Sequence, residues 1–245
     1  MTAVRWADRT REELRALLPE AVVVLPVGAT EQHGPHLVTA MDALAAEAVA
    51  AAGAARAARP ERVVLAPTLP FGASHHHLPF GGTLSLTAAT LARVLADLLE
   101  SAAASGARRL LLLNGHGGNS ATCAQAAADA ARQHGIVVAA ADYWALAPAD
   151  GAWGGHFPGH AGAFETSLMG ALQPDGVREQ ELRPSPGTLP AAPDGLRLET
   201  PALWAEIDGF TDDPRLADAD AGAAAFDRLA DAVARAIDAV AEARA

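Results

Sequence analysis

The chain has 245 residues, of which 51% are hydrophobic, and a formal net charge of −11 at pH 7. This length and apolar content suit a single α/β domain with a sizeable core. The negative charge, without any basic tract, excludes nucleic-acid-binding and anionic-membrane-binding proteins, because either surface would repel the chain. The one cysteine excludes an internal disulfide and a thiolate metal cluster, so any metal would be held by His, Asp and Glu.

The composition along the chain favours a cytoplasmic protein. No apolar run approaches the roughly 20 residues that cross a bilayer, and residues 1–21 have no apolar core of the kind found in signal peptides. We therefore expect a small-molecule partner, with neither nucleic acid nor membrane.

Short apolar runs alternate with helical patterns along most of the chain. Four of these runs predict strands buried on both faces: "AVVVLPV" (21–27), "RVVLAP" (62–67), "RRLLLL" (108–113) and "IVVAAAD" (136–142). The apolar spacing predicts helices at about 42–58, 86–105, 119–133, 162–173 and 219–243, and a loop at 183–195. This alternation predicts a three-layer α/β/α sandwich with helices on both faces of a central, mostly parallel sheet.

Polar residues follow the first predicted strand in the segment "GATEQHGPHLVTAMD" (28–42). It contains Glu31, His33, His36 and Asp42. The spacing of two between Glu31 and His33 directs both side chains to one side of an extended chain. Charged residues beside an apolar run need partners if they are buried, so this segment predicts a polar site at the carboxyl end of a strand.

A second polar segment, "NGHGGNS" (114–120), follows the third strand run. It offers Asn114 and His116, glycines for a sharp turn, and Asn119 or Ser120 as a helix cap. In open α/β sheets, ligands bind outside the carboxyl ends of the strands, so both segments reach the same edge. A phosphate loop is not favoured, because the segment lacks the lysine and the G-x-x-x-x-G-K spacing.

A third segment, "GHAGAFETS" (159–167), adds His160 and Glu165. Taken alone, Glu165 would be an early-helix acid favoured by the helix dipole, but beside the other two segments it belongs to a set. The chain has no G-x-S-x-G elbow, which argues against a serine hydrolase.

Taken in order, these motifs resemble the creatininase (creatinine amidohydrolase) family over about residues 20–175: "LPVGATEQHGPHL", the downstream Asp42, "LPFGGTLSL", "LLLNGHGGNS" and "HAGAFETSLM". The resemblance implies an α/β fold with two divalent metal ions at the strand ends. It also implies hydrolysis of a C–N bond in a small, cyclic amide such as creatinine, and a homo-oligomer, with hexamers well represented. Imidazole and carboxylate ligands suit Zn, Mn or Fe, and a hydroxide bridging the two metals would be the nucleophile.

The resemblance also implies roles for individual residues. Glu31 and His116 resemble the ligands of one metal, and His33 resembles a ligand of the other. Asp42 resembles the carboxylate that bridges both metals. His160 resembles the histidine that handles the proton of the substrate or leaving group.

One position departs from the family pattern. Family members that act on creatinine carry an acidic ligand of the second metal two positions after the histidine of "NGH", where this chain has Gly118. Either Glu165 or solvent would complete that site. Relatives with other substrates share "NGHGGN", so a peptidase like that of mycofactocin maturation is the second candidate. A metal-binding protein without turnover is the third, and the presence of His160 argues against it.

Aromatic and histidine residues are candidates for the substrate pocket. Trp144 resembles an active-site tryptophan of creatininases, and His77 resembles a position near the substrate. Trp153 and its aromatic neighbours in residues 141–160 either wall a flat ligand or cover the core or a subunit interface. At least two of the three histidines at 75–77 are expected in a solvated loop.

Overall fold

The structure is a computed structural model that describes residues 3–147, 157–188 and 200–244. Over these residues five strands form one sheet in the order β1-β3-β2-β4-β5, and every strand pair is parallel. The expected α/β fold is confirmed, with a sheet that is wholly rather than mostly parallel. The strands are β1 (Val4–Arg5), β2 (Val22–Val27), β3 (Val63–Leu65), β4 (Arg109–Asn114) and β5 (Val137–Asp142).

The helices predicted from apolar spacing are all present. The α-helices within the described residues are α1 (Arg11–Leu17), α2 (Met41–Arg56), α3 (Ala88–Ala104), α4 (Ser120–His134), α5 (Ala163–Leu172), α6 (Pro201–Glu206) and α7 (Ala219–Glu242). The apolar patterns of the sequence did not predict β1, α1 or α6. The α1 helix carries a local signal, since Thr10 and Glu13 form a reciprocal capping box at its start.

Helices cover both faces of the sheet and form two separate cores. Successive residues of β4 point to opposite sides, so that Leu111 and Leu113 join one core while Leu110 and Leu112 join the other. The first core is completed by apolar residues of α2, α5 and α7, and the second by residues of α1, α3 and α4. This is the three-layer arrangement that alternating strands and helices predict.

The strand register determines where the chain can place a site. Val27, Asn114 and Asp142 end β2, β4 and β5, and they are paired side by side across the sheet. The segments that follow these three strands therefore leave the sheet at the same edge.

The end of α4 and the loop that follows α5 lie where the sequence predicts them. The α4 helix ends at His134, and Gly135 adopts the left-handed conformation (φ 61°) that ends helices and that glycine tolerates best. Within the predicted loop at 183–195, residues 183–188 have no helix or strand, and the remainder lies outside the described residues. No helix in the described part of the chain is both long and apolar enough to span a bilayer.

Candidate metal centre and active-site pocket

The loop after β2 carries two predicted ligands into the interior. Glu31 and His33 are fully buried, and the Glu31 backbone N–H donates to the Thr39 carbonyl oxygen at 2.9 Å, which folds the loop back toward α2. Asp42 is buried in the first turn of α2, where the helix dipole favours a carboxylate. The connection from β2 to α2 thus brings three ionisable side chains together.

The turn after β4 holds His116 in place. The Asn114 side chain accepts a hydrogen bond from the His116 backbone N–H at 3.1 Å and donates one to the His116 carbonyl oxygen at 2.7 Å. The His116 ring then places Nδ1 3.2 Å from both Glu31 Oε1 and Asp42 Oδ2. The other carboxylate oxygen of Asp42, Oδ1, lies 3.1 Å from His33 Nε2. Asp42 therefore lies between two imidazoles.

The start of α5 adds the remaining predicted polar residues. Glu165 Oε2 lies 3.8 Å from His33 Nε2 and accepts a hydrogen bond from the Ala161 backbone N–H at 2.5 Å. His160 Nδ1 lies 3.5 Å from Glu31 Oε1. Ala161 has a φ of 50°, a left-handed conformation that residues with a Cβ seldom adopt and that is often found at functional sites.

Three carboxylate oxygens of this cluster accept no hydrogen bond from any residue that the structure describes. Among the described residues, both Glu31 carboxylate oxygens and Asp42 Oδ2 are buried without a hydrogen bond, a costly state for a charged group. A bound cation would remove that cost. Three groups have ligand atoms lying within 4.8 Å of one another: Glu31, Asp42 and His116; His33, His160 and Glu165; and Glu31, His77 and His160.

The outer ring nitrogens support the same interpretation. His33 Nδ1 donates to the Glu31 carbonyl oxygen at 3.1 Å, and His116 Nε2 donates to the Ala73 carbonyl oxygen at 3.3 Å. Each ring thereby turns its other nitrogen toward the carboxylates, which is how proteins usually orient a metal-binding histidine. The described residues fit a site for Zn, Mn or Fe, which accept imidazole and carboxylate ligands.

In the metal-free protein these groups perturb one another. Burial acts to lower the pKa of His33, but the Asp42 carboxylate outweighs it and the pKa rises to about 10. Burial likewise acts against protonation of His116, yet Glu31 and Asp42 raise its pKa well above the usual value. Burial raises the pKa of Glu165 to about 8, against the influence of His33. Metal binding at neutral pH must therefore displace protons.

A cavity of about 460 Å³ lies against this cluster. Trp144 lines it and packs edge-on against the buried Tyr143, with ring centroids 5.2 Å apart. Trp204 of α6 also lines it and contacts the rings of His77 and His160, at centroid distances of 4.6 and 5.7 Å. Residues 176–215 contain no recognisable catalytic or metal-binding motif, and Trp204 was therefore not predicted; its local signal is a tryptophan just after the Thr200 helix cap.

The histidine run at 75–77 is not a solvated loop. These residues begin a 3-10 helix, His75–Phe80. His75 is exposed, but His76 is half-buried in the cavity wall, 5.0 Å from the Trp204 ring, and His77 is fully buried. The expectation of two solvated histidines is wrong because α6 covers this helix. Trp153, the other predicted substrate residue, lies outside the described residues.

The structure leaves no room for a side chain at Gly118. A Cβ there would lie 2.3 Å from the Ala73 carbonyl oxygen and 2.4 Å from His116 Nε2, far inside van der Waals contact. The acidic ligand that the family pattern has at this position therefore does not fit the loop as it is folded here.

The comparisons with known proteins agree with the motifs. The family described as creatinine amidohydrolase matches residues 7–237. A creatininase mutant complexed with creatine has a TM-score of 0.83 at 29% identity, covering 98% of this chain and 100% of that one. A manganese creatininase has a TM-score of 0.81 at 30% identity, covering 96% and 97%.

Among curated relatives, the mycofactocin precursor peptide peptidase of Mycolicibacterium smegmatis is 38% identical over 96 residues. That match spans only 38% of each chain. The match to the family covers most of the sequence, and creatininase structures share both the fold and the chain length. The chain belongs to the creatininase family of hydrolases.

Proposed function

We propose that the protein is an amidohydrolase that uses two divalent metal ions to cleave a C–N bond in a small amide. The position of Asp42 carries the proposal: its two oxygens lie 3.1 Å from His33 Nε2 and 3.2 Å from His116 Nδ1. A carboxylate between two inward-facing imidazoles is suited to bridge two cations. The buried Glu31 carboxylate beside it, whose oxygens accept no hydrogen bond within the described part of the chain, gives the cluster a further ligand.

The ligands divide into two sets that share Asp42. Glu31 and His116 would hold one ion, and His33 would hold the other with Glu165, since Gly118 provides no side chain. The three carboxylates carry a charge of −3 against +4 from two dications, which leaves the site able to attract an anion. When bound, the ions would lower the pKa of a coordinated water and polarise the amide carbonyl.

His160 is suited to move the proton. It lines the cavity, and its Nδ1 faces the cluster 3.5 Å from Glu31 Oε1. Burial holds the pKa of His160 well below its usual value, so the ring is neutral at pH 7. A neutral imidazole can accept a proton from the attacking water and deliver it to the departing nitrogen.

The cavity is suited to a compact substrate. Its volume of about 460 Å³ falls in the range of roughly 300–1,000 Å³ typical of small-molecule sites. Trp144 and Trp204 line it together with the histidines, and aromatic rings bind flat ring-shaped ligands well. A cyclic amide of the creatinine kind is therefore the first substrate class to test.

A peptide is the second substrate class. The relative from Mycolicibacterium smegmatis is a precursor peptide peptidase, and the glycine at position 118 departs from the pattern of creatinine-hydrolysing members. The same metal ligands and the same proton-transfer histidine would act on a peptide C–N bond.

Product analysis after controlled metal loading tests the proposal. The protein is stripped with a chelator, reloaded separately with Zn, Mn or Fe(II), and incubated with creatinine, other cyclic amides and short peptides. We expect amide hydrolysis that depends on metal, is lost in Asp42→Ala and is retained in the surface control Asp129→Asn. Two bound metals with no hydrolysis of any amide or peptide would favour a metal-binding protein without turnover.

A further inference from the structure

Gln32 lies between the predicted ligands Glu31 and His33 in the sequence and is 8% exposed. Its side-chain Nε2 contacts the Gly209 carbonyl oxygen at 2.6 Å, His77 Nδ1 at 2.8 Å and His160 Nε2 at 3.1 Å. Neither the motifs nor the proposed chemistry gives this residue a role.

The orientation of the Gln32 amide follows from two backbone groups. The Gly34 backbone N–H donates a hydrogen bond to Gln32 Oε1 at 2.9 Å. Gly209 offers a carbonyl oxygen, which can only accept, so Nε2 must face it. The amide therefore cannot be turned round, and its nitrogen faces both histidines.

The number of hydrogens on the Gln32 amide nitrogen then determines which ring nitrogen of His160 carries the proton. The Gln32 amide nitrogen has two hydrogens, but three acceptors would surround it if both ring nitrogens were bare. The Gln32 backbone carbonyl oxygen lies 3.0 Å from His160 Nε2 and can only accept. His160 Nε2 must therefore carry a proton and donate it to that oxygen. In the neutral ring the other nitrogen, Nδ1, is then bare and lies 3.5 Å from Glu31 Oε1.

The two amide hydrogens of Gln32 also determine which ring nitrogen of His77 carries the proton. One amide hydrogen of Gln32 goes to Gly209, and the other is left for His77 Nδ1, which must be bare to accept it. The neutral His77 ring then carries its proton on Nε2, 3.5 Å from Glu31 Oε1.

We propose that Gln32 is a positioning residue that sets the tautomers of both histidines, so that His77 presents an N–H and His160 presents a lone pair to the same oxygen of Glu31. His77 then offers a hydrogen-bond donor to the candidate site, and His160 offers an acceptor. Only the kinetic consequence rests on the proposed function, because the tautomers are properties of the folded chain.

Solid-state NMR of protein labelled with ¹⁵N-histidine measures the tautomers directly. The zinc-loaded and metal-free proteins are compared, and the signals are assigned from His77→Gln and His160→Gln. We expect the proton on Nε2 in both rings of the unsubstituted metal-free protein. A proton on Nδ1 of His77, or on Nδ1 of His160, would overturn the proposal.

Two substitutions separate the contributions of the side chain and the backbone. Gln32→Glu places an acceptor beside His77 Nδ1, so the His77 proton should move to Nδ1. His160 should keep its proton on Nε2, since the backbone carbonyl of residue 32 remains. Gln32→Met offers His77 no donor and should give mixed tautomers, and the exposed Gln133→Glu is the matched control. No change at His77 in either Gln32 variant would refute the role of the amide.

Kinetics connect the tautomers to turnover. If the protein hydrolyses an amide, Gln32→Glu and Gln32→Met should lower kcat about 10- to 100-fold, the usual cost of losing such a supporting partner, with unchanged metal content. Full activity in a variant with an altered His77 tautomer would refute the positioning role. The expected tautomers without hydrolysis of any substrate would refute the proposed function and support the assignment of Gln32.

Discussion

Replacement of Gly118 by alanine tests whether this loop excludes the acidic residue of the family pattern. The added Cβ would lie 2.3 Å from the Ala73 carbonyl oxygen, a backbone atom that cannot rotate away, and 2.4 Å from His116 Nε2. The loop must move, and the hydrogen bond from His116 to Ala73 is disturbed. Overpacking and the weakened hydrogen bond together should cost about 2–4 kcal/mol of unfolding free energy.

The neighbouring Gly117 provides a matched control. It lies in the same turn, but a Cβ there would meet nothing within 4 Å. Gly117→Ala should therefore be neutral or stabilise the fold by about 0.4–1 kcal/mol, through the lower entropy of the unfolded chain. Two adjacent substitutions of the same kind are thus expected to differ by at least about 2 kcal/mol in unfolding free energy.

Urea unfolding of the metal-stripped proteins measures the difference, since bound metal would add its own stabilisation. Metal content after reloading gives a second measurement, because movement of His116 should weaken metal binding in Gly118→Ala and leave it intact in Gly117→Ala. If the two variants are equally stable and bind metal equally well, the loop adapts at position 118, and the steric argument is refuted.

The remaining predictions concern the metal centre. Asp42→Ala and His116→Ala should lose metal and activity together, and two metals retained by elemental analysis would contradict their assignment as ligands. His160→Ala should keep its metals and lose about 10²- to 10⁴-fold in turnover; unchanged turnover between about pH 6 and 9 would remove His160 from the reaction. At pH 7 the raised pKa values of His33 (about 10) and Glu165 (about 8) mean that both are protonated in the metal-free site. Metal binding should therefore release protons and tighten as the pH rises, which calorimetry in buffers of different ionisation enthalpy can measure.

The predicted strands and helices were correct where the pattern was long. The runs that became β2, β4 and β5 are continuous apolar stretches, and α2, α3 and α7 follow long helical spacing. The missed elements are short: β1 has two residues, α6 has six and α1 has seven. Elements this short span too few residues for an apolar periodicity to reveal them, even where a capping box marks the start, as in α1.

The structure brings the predicted polar residues together because each follows a strand or lies at the start of a helix. Glu31, His33, Asp42 and His116 come together as the motifs imply. The run at 75–77 was misjudged, because the burial of His76 and His77 depends on Trp204, more than 120 positions further along the chain. A local pattern contains no information about such a contact.

The sequence by itself determined the α/β class, the family and the chemical types that meet at the strand ends. These depend on local apolar spacing and on ordered motifs, both of which can be read along the chain. Only the tertiary structure decided that Asp42 lies between two imidazoles, that Gly118 cannot carry a side chain, and that Gln32 faces two histidines. Those properties are distances of a few ångströms between residues far apart in sequence, and they exist only after the parallel strands align in register and the helices pack against them.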